Sequence, residues 1–322
     1  MKHKILAVFS LLVSLAIATP ARAENPDHVA QLRETKICNN CDLSEADLSG
    51  LDLQSAKLQG ANLIKANLSN TNLSRADLTG ANFTLANLEG ADLRFSLINQ
   101  TIFAKAVLSN SDFRSSDVRR SIFAAAKLNN ANFRNANLAQ ADLSETDLSQ
   151  SNLSRANLIE ANLRKADLTN ANLQNSRINN ANLSLTNLTQ TNFTSANLRY
   201  SSLIRAVMLR TTLNRANLGG ANLRETQMNS TNLRNAGLRR ANLRQANIWD
   251  SDLRNADLAY ADMRDANVFQ SDLRNANLTA VELGTVILCK SRLPNAYTSD
   301  GGRGSSISDQ GCRRRGEQQN DG

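Results

Sequence analysis

A hydrophobic residue returns at every fifth position over most of this sequence. From Leu43 to Leu293 there are 51 such positions, and each of them holds Leu, Ile, Val, Met or Phe. Two residues before each lies a small residue, with Leu51, Val281 and Val286 as the larger exceptions. The position between the two is usually Asn or Asp. A repeat this regular constrains the fold more than any other feature of the chain.

Neither regular secondary structure accounts for a period of five. On an α-helix, five residues rotate the side chain by about 140°, so the large residues would spiral over the whole surface. On a straight strand, an odd period sends successive residues to opposite faces. Within each pentad, however, the small and large residues are two apart and share one side of a short strand. The other three residues must turn a corner, and Gly60 and Asn70 are types that tolerate the positive φ of a turn.

A second period of twenty residues gives the number of sides. Hydroxyl side chains recur at this spacing in the small position, whereas the positions midway between them mostly lack a hydroxyl. The column is Thr191, Thr211, Thr231, Ser251, Ser271 and Ser291. Four sides of five residues therefore form one coil, and residues twenty apart lie about 4.8 Å above one another. The 51 pentads predict nearly thirteen coils and a rod about 60 Å long.

The runs at 61–65 (Ala-Asn-Leu-Ile-Lys) and 161–165 (Ala-Asn-Leu-Arg-Lys) match the A(D/N)LXX pattern of a known family. Over residues 38–296 the chain resembles the pentapeptide-repeat proteins. This resemblance implies an all-β fold, a right-handed quadrilateral β-helix. It implies little about function, because the family has many roles.

The residues before the repeat predict export and a cap. Lys2 and Lys4 precede an apolar stretch over 5–18, and Ala21-Arg22-Ala23 follows it, so residues 1–23 are predicted to be a signal peptide. The apolar stretch is too short to cross a bilayer, and we expect no membrane anchor. The mature protein would then lie in the periplasm, the extracellular space or the thylakoid lumen, depending on the host. Residues 24–37 are predicted to be an N-terminal cap segment with a short helix over 26–37.

After the repeat, residues 297–322 are rich in Gly, Ser, Asp, Gln and Arg, which predicts a flexible tail. No helix is evident in the sequence to cover the last coil. An uncovered edge invites association, so we expect either a monomer whose tail covers this end or a dimer formed through the C-terminal coil.

Four cysteines lie near the two ends of the repeat. Cys38 and Cys41 form a CxxC motif, which indicates either a redox centre or a structural disulfide. The thioredoxin-like setting of redox motifs is missing, and an exported chain favours the structural disulfide. Cys289 and Cys312 belong to the far end, where a bond between them would close a loop of about 22 residues and contribute roughly 3 kcal/mol.

Outward apolar residues predict a contact surface. Trp249, Phe269 and Cys289 are twenty residues apart at an outward position. A column that contains the only Trp of the chain favours a contact surface over scattered surface residues. A second apolar belt replaces the usual Asn or Asp at four positions: Leu97, Ile102, Val107 and Ile122.

Arginines also recur at intervals of twenty, as in Arg234, Arg254 and Arg274. Such columns either bind a polyanion or are neutralised by acidic residues of the same chain. Asp252 and Asp272 lie two residues before Arg254 and Arg274, so local neutralisation is the favoured interpretation.

The inventory of side chains argues against an enzyme. After removal of residues 1–23, His28 is the only histidine left for acid–base chemistry, and no motif for a metal or a cofactor is present. The formal net charge of +8 falls to +5 because Lys2, Lys4 and Arg22 are removed. This excess is too mild to indicate nucleic-acid binding.

We therefore expect an exported, non-enzymatic structural or protein-interaction scaffold that presents a long rod surface to a partner protein. The alternative is a nucleic-acid mimic that regulates a topoisomerase-type enzyme, a role that the family resemblance implies for some members. The signal peptide and the basic charge disfavour it.

Overall fold

The computed structural model describes residues 25–294, and within them the chain winds into a right-handed β-helix with four sides. Parallel pairing joins nearly all outward residues to those twenty positions later, from Ile37 with Lys57 to Asp272 with Arg292. The predicted square cross-section is therefore confirmed. The predicted signal peptide and the whole predicted tail over 297–322, including Cys312, lie outside the described residues.

Each side of a coil is bonded to the coils before and after it. The N–H of Leu163 donates to the carbonyl of Asn182 at 2.7 Å, and the N–H of Asn162 donates to the carbonyl of Ala141 at 2.9 Å. At the corner, the N–H of Ala166 donates to the carbonyl of Leu163 at 3.0 Å. Lys165, the second corner residue, has a φ of 61°. This backbone pattern repeats along the rod, and the second corner residue has a positive φ whether it is Gly, Asn or a larger residue.

The interior contains the small and large residues of every pentad. Both classes are almost completely buried, and each buried Leu contributes on the order of 2 kcal/mol. Five phenylalanines form an aromatic cluster inside the rod: Phe83, Phe103, Phe113, Phe123 and Phe133.

The predicted hydroxyl column is also inside. The Thr211 hydroxyl donates to the carbonyl of Leu188 at 2.7 Å, and the Thr191 hydroxyl donates to that of Leu168 at the same distance. Both bonds reach back 23 residues, that is, to the preceding coil. A buried hydroxyl needs a hydrogen-bond partner, and the preceding coil supplies the acceptor.

Asparagine and aspartate form ladders along the outside. The Asn62 amide donates to Asp42 Oδ1 at 2.9 Å, one coil away. The same type of oxygen also accepts the backbone N–H two residues later, as Asn62 Oδ1 does from Ile64 at 3.3 Å. The side chain therefore links adjacent coils and stabilises its own corner, which explains the preference for Asn and Asp.

The N-terminal end is covered by helix α1, Pro26–Thr35. The Asn25 side chain accepts hydrogen bonds from the first turn, and Leu32 is buried against the first coil. Cys38 and Cys41 form a disulfide in that coil, as predicted. The cap helix is two residues shorter than the predicted 26–37.

At the C-terminal end, one side of the rod becomes a regular four-stranded parallel sheet. Its strands are β1 (Gln227–Asn229), β2 (Asn247–Trp249), β3 (Asn267–Phe269) and β4 (Ile287–Cys289). Trp249 pairs with Phe269, and Phe269 pairs with Cys289. The last coil is less well covered than the others, since Val281, Val286 and Leu288 are only partly buried.

Candidate interaction surfaces

Apolar side chains are exposed on the side of the rod that carries the sheet. We define the C-terminal apolar face as Val207, Leu209, Trp249, Phe269 and Ile287. Trp249 is 41% exposed and Ile287 is 50% exposed. The Trp249 and Phe269 rings are 5.2 Å apart and tilted by 38°. The structure thus brings together the two aromatic residues that the sequence singled out, and it adds Val207 and Leu209, which sequence reasoning missed.

Cys289 differs from the other two members of its column. It occupies the same register position as Trp249 and Phe269, but only 2% of its surface is exposed. Its sulfur is disulfide-bonded, so the residue offers no free thiol. Cys312 lies outside the described residues, and the Cys289–Cys312 bond stays a prediction.

The second apolar belt lies near the N-terminal third of the rod. Ile102 pairs directly with Ile122 in the next coil. Leu97 and Ile122 are exposed, whereas Ile102 and Val107 are half-buried. Phe95, at a corner, is 56% exposed and extends this belt. The sequence analysis missed Phe95 because it compared only the outward strand positions, where Asn or Asp is usual.

Two arginines of the column Arg234, Arg254 and Arg274 are neutralised within the chain. Arg254 donates to both carboxylate oxygens of Asp252, at 2.8 Å and 2.6 Å, and Arg274 pairs with Asp272 in the same way. The hydrogen bonds from Arg254 hold the pKa of Asp252 below its usual value, and the same bonds raise the pKa of Arg254. An arginine held in this way has few donors left for a ligand.

Arg234 is the exception in its column. Asn232 stands two residues before it, in place of the aspartate, and no carboxylate pairs with Arg234 within residues 25–294. Local neutralisation thus describes Arg254 and Arg274 but not Arg234.

Comparison with protein-family models identifies the repeat. The family model described as pentapeptide repeats matches the chain in eight copies, over residues 37–63, 56–94, 86–124, 123–155, 151–190, 191–229, 201–240 and 236–275. The chain belongs to the pentapeptide repeat family. The comparison of this pentapeptide repeat protein with curated proteins found no match.

Three solved pentapeptide repeat structures illustrate the similarity. HetL, involved in heterocyst differentiation regulation in the cyanobacterium Nostoc, is 29% identical over 74% of this chain and 94% of its own, with a TM-score of 0.37. QnrB1, a plasmid-mediated fluoroquinolone resistance protein, is 20% identical over 69% and 93%, with a TM-score of 0.39. A thylakoid-lumen protein from Arabidopsis thaliana is 35% identical over 33% and 70%, with a TM-score of 0.26.

Residues 25–294 contain no candidate for a membrane span or a metal site. No helix in this range is long and apolar enough to cross a membrane. The same range contains no group of three or more His, Cys, Asp or Glu side chains that could hold a metal ion.

Proposed function

We propose that this protein is an exported, non-enzymatic scaffold that binds a partner protein through its C-terminal apolar face. The observation that carries the proposal is the exposed Trp249 ring, which lies in contact with the half-buried Phe269 ring. Most of the rod exposes Asn and Asp ladders, so contiguous apolar side chains are exceptional on it. Large aromatic residues that lose water on contact are the usual centres of protein interfaces.

Export is part of the proposal and rests on the signal pattern at residues 1–23. The Cys38–Cys41 disulfide supports it, because disulfides persist in oxidising compartments. The lack of an enzymatic role rests on the side chains present: His28 is the only histidine beyond the signal, and its Nδ1 accepts the backbone N–H of Asp42 at 3.0 Å.

The face can be tested by site-specific photo-crosslinking in the native host. A photoreactive residue at Asn229, which lies one coil before Trp249, should capture a partner, and the additional change Trp249→Ala should abolish the adduct. A photoreactive residue at Asn135, an exposed corner of a distant coil, is the matched control and should give no such adduct. Equal adducts from both positions, or an adduct unaffected by Trp249→Ala, would contradict the proposal.

Two further measurements separate the partner protein from a second copy and test export. Light scattering should show a monomer for the purified chain; a dimer that dissociates on Trp249→Ala would make self-association the role of this face. N-terminal sequencing of the native protein should start at Glu24. A cytosolic chain that retains Met1 would refute export and would reopen the nucleic-acid-mimic alternative.

A further inference from the structure

A second cluster of side chains stands at a different corner of the rod. We define the Arg–Tyr corner as Arg199, Tyr200, Arg239, Arg240 and Tyr260. These residues follow one corner of the β-helix over four successive coils, and all five are exposed. The coil between the Arg199-Tyr200 pair and the Arg239-Arg240 pair carries Gly219-Gly220 at the same corner. The corner is diagonally opposite the one that carries Trp249.

The guanidinium groups of this corner have no carboxylate partner among the described residues. Elsewhere an arginine is neutralised when Asp lies two residues before it, as in Arg94, Arg114, Arg119, Arg254, Arg264 and Arg274. At the Arg–Tyr corner that position holds Asn197 before Arg199 and Gly237 before Arg239. The chain therefore omits the internal counter-ion in the place where it concentrates arginine and tyrosine.

Aromatic rings hold these arginines instead. The guanidinium carbons of Arg239 and Arg240 lie 4.8 Å and 5.9 Å from the centre of the Tyr260 ring. That of Arg199 lies 5.1 Å from the Tyr200 ring, and an Arg199 N–H donates to the Tyr200 hydroxyl at 3.0 Å. An arginine stacked on a ring keeps the N–H groups at its edge available, and their fork matches a carboxylate.

The glycine pair gives this corner its shape. A Cβ atom on Gly220 would lie 2.6 Å from two atoms of the Tyr200 ring, so only glycine lets this ring lie across the corner of the next coil. Gly220 also has a φ of 67°. Gly219 lies between the Arg199 side chain and the Arg239 backbone, each 3.7 Å from its would-be Cβ. The two glycines therefore leave room at this corner for the Tyr200 ring and the Arg199 side chain.

The corner is too short for a long polyanion. From Arg199 to Tyr260 it spans three coil spacings, about 14 Å. On the N-terminal side the same column continues with Asn180 and then Glu160, and on the C-terminal side with Ala280. Glu160 would repel a nucleic acid or an acidic polysaccharide that ran along the rod, whereas a few carboxylates of a peptide fit within the basic stretch.

We propose that the Arg–Tyr corner binds a short acidic segment of a partner protein. The inference rests on the proposed scaffold function and names the chemistry of one contact. Carboxylates of the segment accept hydrogen bonds from Arg199, Arg239 and Arg240, while Tyr200 and Tyr260 pack against its aliphatic parts. Such a contact fixes the orientation of the partner and weakens as salt concentration rises.

The test is fluorescence anisotropy with a fluorescein-labelled hexaglutamate peptide and the mature chain at low salt. We expect saturable binding that Arg239→Gln/Arg240→Gln weakens at least tenfold. The matched control is Arg134→Gln/Arg234→Gln, which removes the same charge from exposed arginines that also lack Asp two residues before them but have no tyrosine partner. This control should change the affinity less than twofold. Tyr260→Ala, which removes the ring but no charge, should weaken binding by an intermediate factor.

Three results would overturn the inference. They are the absence of saturable peptide binding, equal losses in the Arg239/Arg240 and Arg134/Arg234 variants, and tighter binding of a heparin fragment or a single-stranded oligonucleotide than of the peptide. Circular dichroism of each variant checks that the rod is intact. Partner capture at Asn229 without peptide binding would reject the Arg–Tyr corner and leave the scaffold function standing. Peptide binding without capture at Asn229 would reject the C-terminal apolar face and leave the Arg–Tyr corner standing.

Discussion

Replacement of Phe103 by leucine tests how much the aromatic cluster adds to a core that is otherwise built of leucine. Phe103 stacks between Phe83 and Phe123, with ring centres 4.9 Å and 4.8 Å away, and meets the edge of Phe113 at 6.3 Å. Most equivalent positions hold Leu, so Phe103→Leu fits the backbone and removes only the aromatic contacts. Phe193 is equally buried but has no aromatic pair within residues 25–294, so Phe193→Leu is the matched control.

The expected magnitude follows from the number of rings in contact. An aromatic pair contributes about 0.5–1.5 kcal/mol beyond the area it buries, so the loss of three pairs should cost Phe103→Leu roughly 2–4 kcal/mol. Phe193→Leu, which removes some buried volume but no ring contact, should cost about 0.5–1.5 kcal/mol. A double-mutant cycle of Phe103→Leu with Phe123→Leu should give a coupling of about 1 kcal/mol for the stacked pair.

The assay is equilibrium unfolding in urea, followed by circular dichroism, with the slope of each transition compared between variants. An unchanged slope shows that the variants unfold as the parent does and allows the free energies of unfolding to be compared. Equal losses for Phe103→Leu and Phe193→Leu, together with a coupling near zero, would refute the claim that ring stacking stabilises this part of the rod.

Three further predictions concern other parts of the molecule. Thr211→Val should lower the free energy of unfolding by about 1 kcal/mol, as measured by urea unfolding, because the buried hydrogen bond from the Thr211 hydroxyl is lost. Replacing Cys38 and Cys41 by Ser should cost about 2 kcal/mol, since the loop is short, and should speed hydrogen exchange in the first coil. Hydrogen bonds from arginine lower the pKa of Asp252 and Asp272. The stability that these two ionised carboxylates contribute to the folded state is therefore fully present above about pH 4. This stability should be lost as the pH falls through the lowered pKa values, and thermal unfolding should then show a declining Tm.

The repeat pattern predicts the fold because every pentad satisfies the same local rule. The hydroxyl column from Thr191 to Ser291, with few hydroxyls midway between its members, distinguishes four sides from other numbers. The structure confirms it in hydrogen bonds that reach the preceding coil. The position of the Cys38–Cys41 disulfide could be predicted for the same reason, since the register points both side chains inward. Pattern and structure agree wherever the backbone repeats.

The surfaces were harder to predict, because outward positions accept almost any residue. Trp249 stood out as a rare type, but Val207 and Leu209 are common residues whose exposure depends on the face they share. The Arg–Tyr corner was missed for a different reason. Arg199 and Arg239 lack an Asp two residues before them, but so do Arg134 and Arg234. What distinguishes the corner is the tyrosine ring beside each arginine, and this neighbour becomes visible only in the structure.

The twenty-residue coil also governs how insertions and deletions act on this rod. Removal of twenty residues from the middle would shorten it by about 4.8 Å and leave every surface facing the same way. Removal of five would keep the core pattern but rotate everything downstream by a quarter turn relative to α1. The number of pentads thus sets the relative orientation of the cap, the Arg–Tyr corner and the C-terminal apolar face. A partner that binds two of these surfaces at once can bind only when the number of pentads between them is right.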